Sequence, residues 1–62
     1  MFKIHYYDGT QGMTYPYNFH SKWAACCHAV RIHEMGVDCS VQDMTTGEIV
    51  AIFEKNFVRW PE

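Results

Sequence analysis

Between Ser21 and Gly36 the apolar residues recur with a helical period, and on either side of that segment they alternate with a period of two. A single helical stretch between two strand-like stretches confines the chain to one helix packed on one sheet. Phe2, Ile4 and Tyr6 alternate with Lys3, His5 and Tyr7 as a first strand, and Asp8-Gly9-Thr10-Gln11-Gly12 reads as a turn. Met13, Tyr15, Tyr17 and Phe19 alternate with Thr14, Pro16 and Asn18 as a second strand. Pro16 has no N–H to donate, which places that strand at a sheet edge.

After the helix, Val37, Cys39 and Val41 alternate with Asp38, Ser40 and Gln42 as a third strand. The segment from Asp43 to Glu48 reads as a hairpin connection, with Gly47 at the left-handed position. The fourth strand, Ile49 to Glu54, is apolar on both faces: Ile49, Ala51 and Phe53 on one, Val50 and Ile52 on the other. That pattern suits an internal strand. Phe57, Val58 and Trp60 form an apolar tail that either adds a short fifth strand or covers Val50 and Ile52. The expectation is therefore an α+β fold of order β-β-α-β-β, one domain over residues 1–62. Its antiparallel-rich sheet has four strands, or five with the tail, and carries the helix on one face. The expected spatial order of the first four strands is 2-1-4-3.

Ser21 is a good helix N-cap and Gly36 a good C′ residue, while Ala24 at the third helical position excludes a capping box. With ~100° between successive residues, Ser21, Ala25, His28, Ala29, Ile32 and Met35 share one side. Trp23, Cys26, Cys27 and Val30 share the opposite side. Lys22 and His33 separate the two on one flank, and Arg31 on the other. A helix apolar on two sides demands burial on two sides. The small residues of the first side suit a close approach to a sheet carrying large rings, so that side is the expected core. Trp23, Cys26, Val30 and the flanking Arg31 then form an exposed patch for a partner. The opposite assignment, with Trp23, Cys27 and Val30 in the core, rests on the general preference of large residues for the interior.

A chain of 62 residues buries only ~60% of its unfolded surface, so association with a second copy or another protein would help it. Its 48% hydrophobic and 16% aromatic content excludes intrinsic disorder. A formal charge of −2 gives no broad attraction to nucleic acid or membranes. The three cysteines are an odd number, and adjacent Cys26 and Cys27 are poorly placed to bridge each other. Free thiols point to a reducing, cytoplasmic setting. Met1 leads straight into a strand pattern without a leader-like segment, and no apolar run approaches the ~20 residues of a membrane span.

The Cys26-Cys27-His28 run raises a metal-binding reading. Consecutive helical side chains diverge by ~100°, however, and no four-ligand set of the usual spacing emerges, so no metal ligand or cofactor is assigned. A cysteine nucleophile with a histidine base is the one enzymatic arrangement worth weighing. Cys27 and His28 diverge in the same way, and so short a chain has little room for a substrate pocket. No catalytic residue is assigned, and the expectation is a non-catalytic protein. Lys3, His5 and Tyr7, joined by Lys55 and Arg59, form a basic-aromatic set that supports an alternative nucleic-acid-binding reading.

The β-β-α-β-β order, the helix pattern S-x-x-x-A-x-x-x-A-x-x-I-x-x-x-G and the hairpin V-x-D-x-T-T-G-E-I-V resemble small phage and prophage proteins, including some small anti-CRISPR inhibitors. The matching residues are Ser21, Ala25, Ala29, Ile32, Gly36, Val41, Asp43, Thr46, Gly47, Glu48 and Val50. The Cys-His cluster and Trp23 depart from that layout. The resemblance implies a protein that inhibits or modulates a host protein complex by occupying one of its surfaces.

Overall fold

The computed structural model describes residues 1–9 and 11–61. Among them the order is β1 (Phe2–Tyr7), β2 (Gly12–Thr14), α1 (Lys22–Glu34), β3 (Asp38–Asp43), β4 (Ile49–Glu54) and β5 (Phe57–Arg59). The strands form one antiparallel sheet, ordered β2-β1-β3-β4-β5, with the helix on one face. The apolar tail thus supplies a fifth strand. Thr10, in the expected first turn, lies outside the described residues.

The observed order corrects the expected 2-1-4-3: β3 lies beside β1, and β4 lies between β3 and β5. The alternation of β3 reports that one face of the sheet is wet, and it says nothing about position within the sheet. Beneath the helix β3 contributes Cys39 and Val41, both buried, while Ser40 and Gln42 meet the open face. Its neighbours on the helix side are Ile4, Ala51 and Phe53, each at most 1% exposed.

The second strand is also shorter than expected. Its pairing with β1 matches His5 with Thr14 and Tyr7 with Gly12, and the Tyr15 N–H still reaches the Ile4 carbonyl at 2.8 Å. Pro16 then interrupts the ladder. The chain detours and returns two residues out of step, where Phe19 and Phe2 exchange hydrogen bonds of 2.8 and 2.9 Å. The detour leaves Tyr17 59% exposed and drives Phe19 into the core. His28 closes this flank, its ring centroid 4.7 Å from Tyr15 and 5.5 Å from Phe19.

A second irregularity lies between β3 and β4. Val41 pairs with Ala51 but Gln42 pairs with Ile49, so Val50 is an extra residue. This bulge turns Ile49 to the side of Gln42, while Val50 packs against the core. The expected alternation of strand four therefore holds only from Ala51 onward. The hairpin itself forms as read: Gly47 has φ +79, and Asp43 Oδ1 accepts from the Thr45 N–H at 2.9 Å.

Candidate partner-binding surface

The helix begins and ends where its caps direct. Ser21 Oγ accepts from the Ala24 N–H at 3.3 Å, and Gly36 takes φ +87 just beyond the last turn. Its packing face, however, is turned from the expected one. Ala25, Cys26 and Ala29 are all fully buried. Small side chains at these positions let the helix backbone come close enough for the Cys39 thiol to donate to the Ala29 carbonyl at 3.2 Å. The buried face is centred between Ala25 and Cys26, roughly 75° from the centre of the expected side.

The flank read as a polar divider therefore points toward the sheet. Lys22 and His33 are half-buried, and His33 lies 6.4 Å from the Phe53 ring with a buried Nδ1 that has no hydrogen-bond partner among the described residues. Met35, expected on the core side, is 76% exposed. Three fully buried small residues at i, i+1 and i+4 were the signal for the true face. In the expected division of the helix, Cys26 falls on the side opposite Ala25 and Ala29.

This rotation sorts the expected patch. Cys26 leaves it, because a fully buried thiol cannot touch a partner. Trp23 remains, 53% exposed, with the Lys22 ammonium 5.7 Å from its ring centroid. Arg31 is exposed, and Val30 is half-buried against the core. Cys27, exposed, was missed. Trp23, Cys27 and Arg31 follow each other at four-residue spacing, which makes one outward ridge, and Val30 forms its inner shoulder.

The neighbouring thiols differ accordingly. Burial raises the Cys26 pKa, the adjacent Cys27 adds to this, and Lys22 opposes it. Burial pushes the Cys39 thiol up to about 11, with the Asp38 charge contributing. Both buried thiols are therefore held protonated at neutral pH and are poor nucleophiles.

The open face of the sheet gathers most of the alternative set. Strand register places Lys3, His5 and Tyr7 on it, and Arg59 joins them through the row His5–Ser40–Ile52–Arg59. Lys55 sits in the β4–β5 turn, where its N–H donates to Asp38 Oδ1 at 3.1 Å. The imidazole of His5 is engaged at both nitrogens, with Thr14 Oγ1 at 3.0 Å and Gln42 Oε1 at 2.7 Å. Gln42 in turn donates to the Gly47 carbonyl at 3.0 Å. Asp38 and Glu54 line the same open depression of about 420 Å³ as His5 and Tyr7. Two carboxylates on this face offset the charges of Lys3 and Arg59.

Among the described residues no group of three or more His, Cys, Asp or Glu side chains is placed to hold a metal ion, and no helix is long and apolar enough to cross a membrane. No protein-family model, curated protein or solved structure matches this chain.

Proposed function

We propose that this chain is a non-catalytic binding protein that docks on another protein through the outer ridge of its helix, Trp23, Cys27, Val30 and Arg31. The observation that carries this reading is Trp23. It is 53% exposed on a helix whose Ala25, Cys26 and Ala29 are buried against the sheet. Tryptophan and arginine are the residues most often found to dominate binding energy at interfaces. The protonated, buried state of Cys26 and Cys39 and the double engagement of His5 favour binding over nucleophilic chemistry. The resemblance of the helix and hairpin to small phage proteins directs the search to a host protein complex that the chain inhibits or modulates. Three free cysteines suit a reducing, cytoplasmic setting.

Affinity capture from host lysate treated with nuclease tests the reading. A protein partner should be retained by the parent chain and lost with Trp23→Ala, because an anchor residue contributes more than ~1 kcal/mol to binding. Equal capture by both chains would refute the ridge.

Nucleic-acid binding is the second reading. It is favoured by the register that puts Lys3, His5, Tyr7 and Arg59 on one open face, and opposed by Asp38 and Glu54 beside them. Binding to DNA or RNA that weakens steeply with salt would establish it in place of the first.

A further inference from the structure

We infer that β5 is a self-pairing edge, along which two copies of this chain join antiparallel into one ten-stranded sheet, five strands from each. This surface is separate from the helix ridge. The strand ends the sheet, and Phe57, Val58 and Arg59 are all exposed. Phe57 is 51%, Val58 48% and the following Trp60 49% exposed. The helix lies over β1, β3 and β4 and does not reach β5. Val58 is directly opposite Phe53, and the Trp60 ring meets Phe53 edge-on at 5.0 Å, so both belong to the helix side of the sheet.

Edge strands are normally blunted by a central Lys or Pro, a bulge or a covering element. Phe57–Arg59 contains no Lys, Pro or bulge, and its three-residue length and Arg59 are what blunt it. The opposite edge, Gly12–Thr14, is equally short and likewise meets a Pro two residues on (Pro16 there, Pro61 after β5), but it offers only Met13 as an apolar side chain.

The pairing is self-complementary. Centred on Val58, it sets Val58 against Val58 of the second copy on the helix side, with each Trp60 diagonal to it. On the open face it sets Phe57 against Arg59 twice, and no like charges oppose each other. The guanidinium of Arg59 donates through Nη2 to the Ile49 carbonyl at 3.1 Å, which leaves its other donors and its planar faces for the ring.

The exposed halves of Phe57, Trp60 and Val58 amount to ~250–300 Å² of apolar surface per copy, taking ~150–250 Å² for a whole ring. A standard interface buries ~800 Å² per partner, of which ~56% is apolar. The apolar area falls short of the ~450 Å² that this implies, so the dimer is weak and reversible. An antiparallel junction of two edges places its two-fold axis normal to the sheet, so both helices lie on one face. Both Trp23 ridges are then presented to the same side, and a partner with two sites gains avidity.

Sedimentation equilibrium of the full chain, from micromolar to about 1 mM, tests this. The parent should be a monomer–dimer equilibrium. Val58→Lys brings two like charges together on the axis and should raise Kd more than about tenfold. Met13→Lys on the other edge and Trp23→Ala on the ridge should leave Kd within about twofold. A parent that stays monomeric at about 1 mM would overturn the inference. So would a dimer indifferent to Val58→Lys, or one dissolved by Met13→Lys or Trp23→Ala. Should Val58→Lys fail to fold, amide exchange on the parent decides. Protection in Phe57–Arg59 must rise with protein concentration, and no rise overturns the pairing.

Discussion

Two adjacent cysteines on one helix provide the sharpest test of its orientation. Cys26 is fully buried and Cys27 exposed. A rotation of ~100° would exchange them. Native protein at pH 8 should therefore show one fast thiol toward a small alkylating reagent, and mass mapping should place it at Cys27. Cys39 has a pKa of about 11 against an ordinary 9.0, which cuts its thiolate fraction about a hundredfold. Cys26 shifts in the same direction. Both must also wait for the chain to open. At ~0.05–0.15 kcal/mol per residue, a chain of this length has a stability of ~3–9 kcal/mol. Even its lower end slows labelling by more than ~100-fold if opening is global. The same orientation governs stability. Cys27→Ser should change it by less than ~0.5 kcal/mol. Cys26→Ser buries a hydroxyl in apolar surroundings and should cost ~1–3 kcal/mol, reduced where the hydroxyl bonds back to the preceding helical turn. Two fast thiols with Cys26 among them, or a Cys27→Ser variant less stable than Cys26→Ser, would refute the packing of α1.

Three further outcomes follow from the structure. Phe53 is 1% exposed and contacts Trp60, so Phe53→Ala should cost ~3–5 kcal/mol, comparable to the whole stability, and the variant should show no cooperative melt. Below pH 9 the Cys39 thiol is protonated whether the chain is folded or unfolded. Between 9.0 and about 11 the unfolded thiol ionises while the folded one does not, so stability falls with rising pH, by on the order of 2 kcal/mol in total. Urea melts of the parent and Cys39→Ala across that window should differ in slope, and equal slopes would refute the burial of the thiol. Gly36 holds φ +87, so Gly36→Ala should lower stability by about 1 kcal/mol in the same melts.

The order β-β-α-β-β, the Ser21 and Gly36 caps, the Gly47 hairpin and the separate wet and dry faces of β1 and β3 are determined by the sequence alone. Each depends on residues adjacent in the chain: a side-chain oxygen three positions from an N–H, a glycine able to take positive φ, an alternation of period two. Strand order, the two-residue detour at Pro16, the bulge at Val50 and the helix face are decided only in the tertiary structure. They depend on which surfaces meet, and local periodicity does not encode that. Ser21, Ala25 and Ala29 were as compatible with a face centred on Ala25 as with one shared between Ala25 and Cys26. The sheet chose the second because Cys26, though larger than Ala, still lets the helix sit close enough over β3 for the Cys39 thiol to meet the Ala29 carbonyl. That choice withdrew Cys26 from the surface and left Trp23, Cys27 and Arg31 outside.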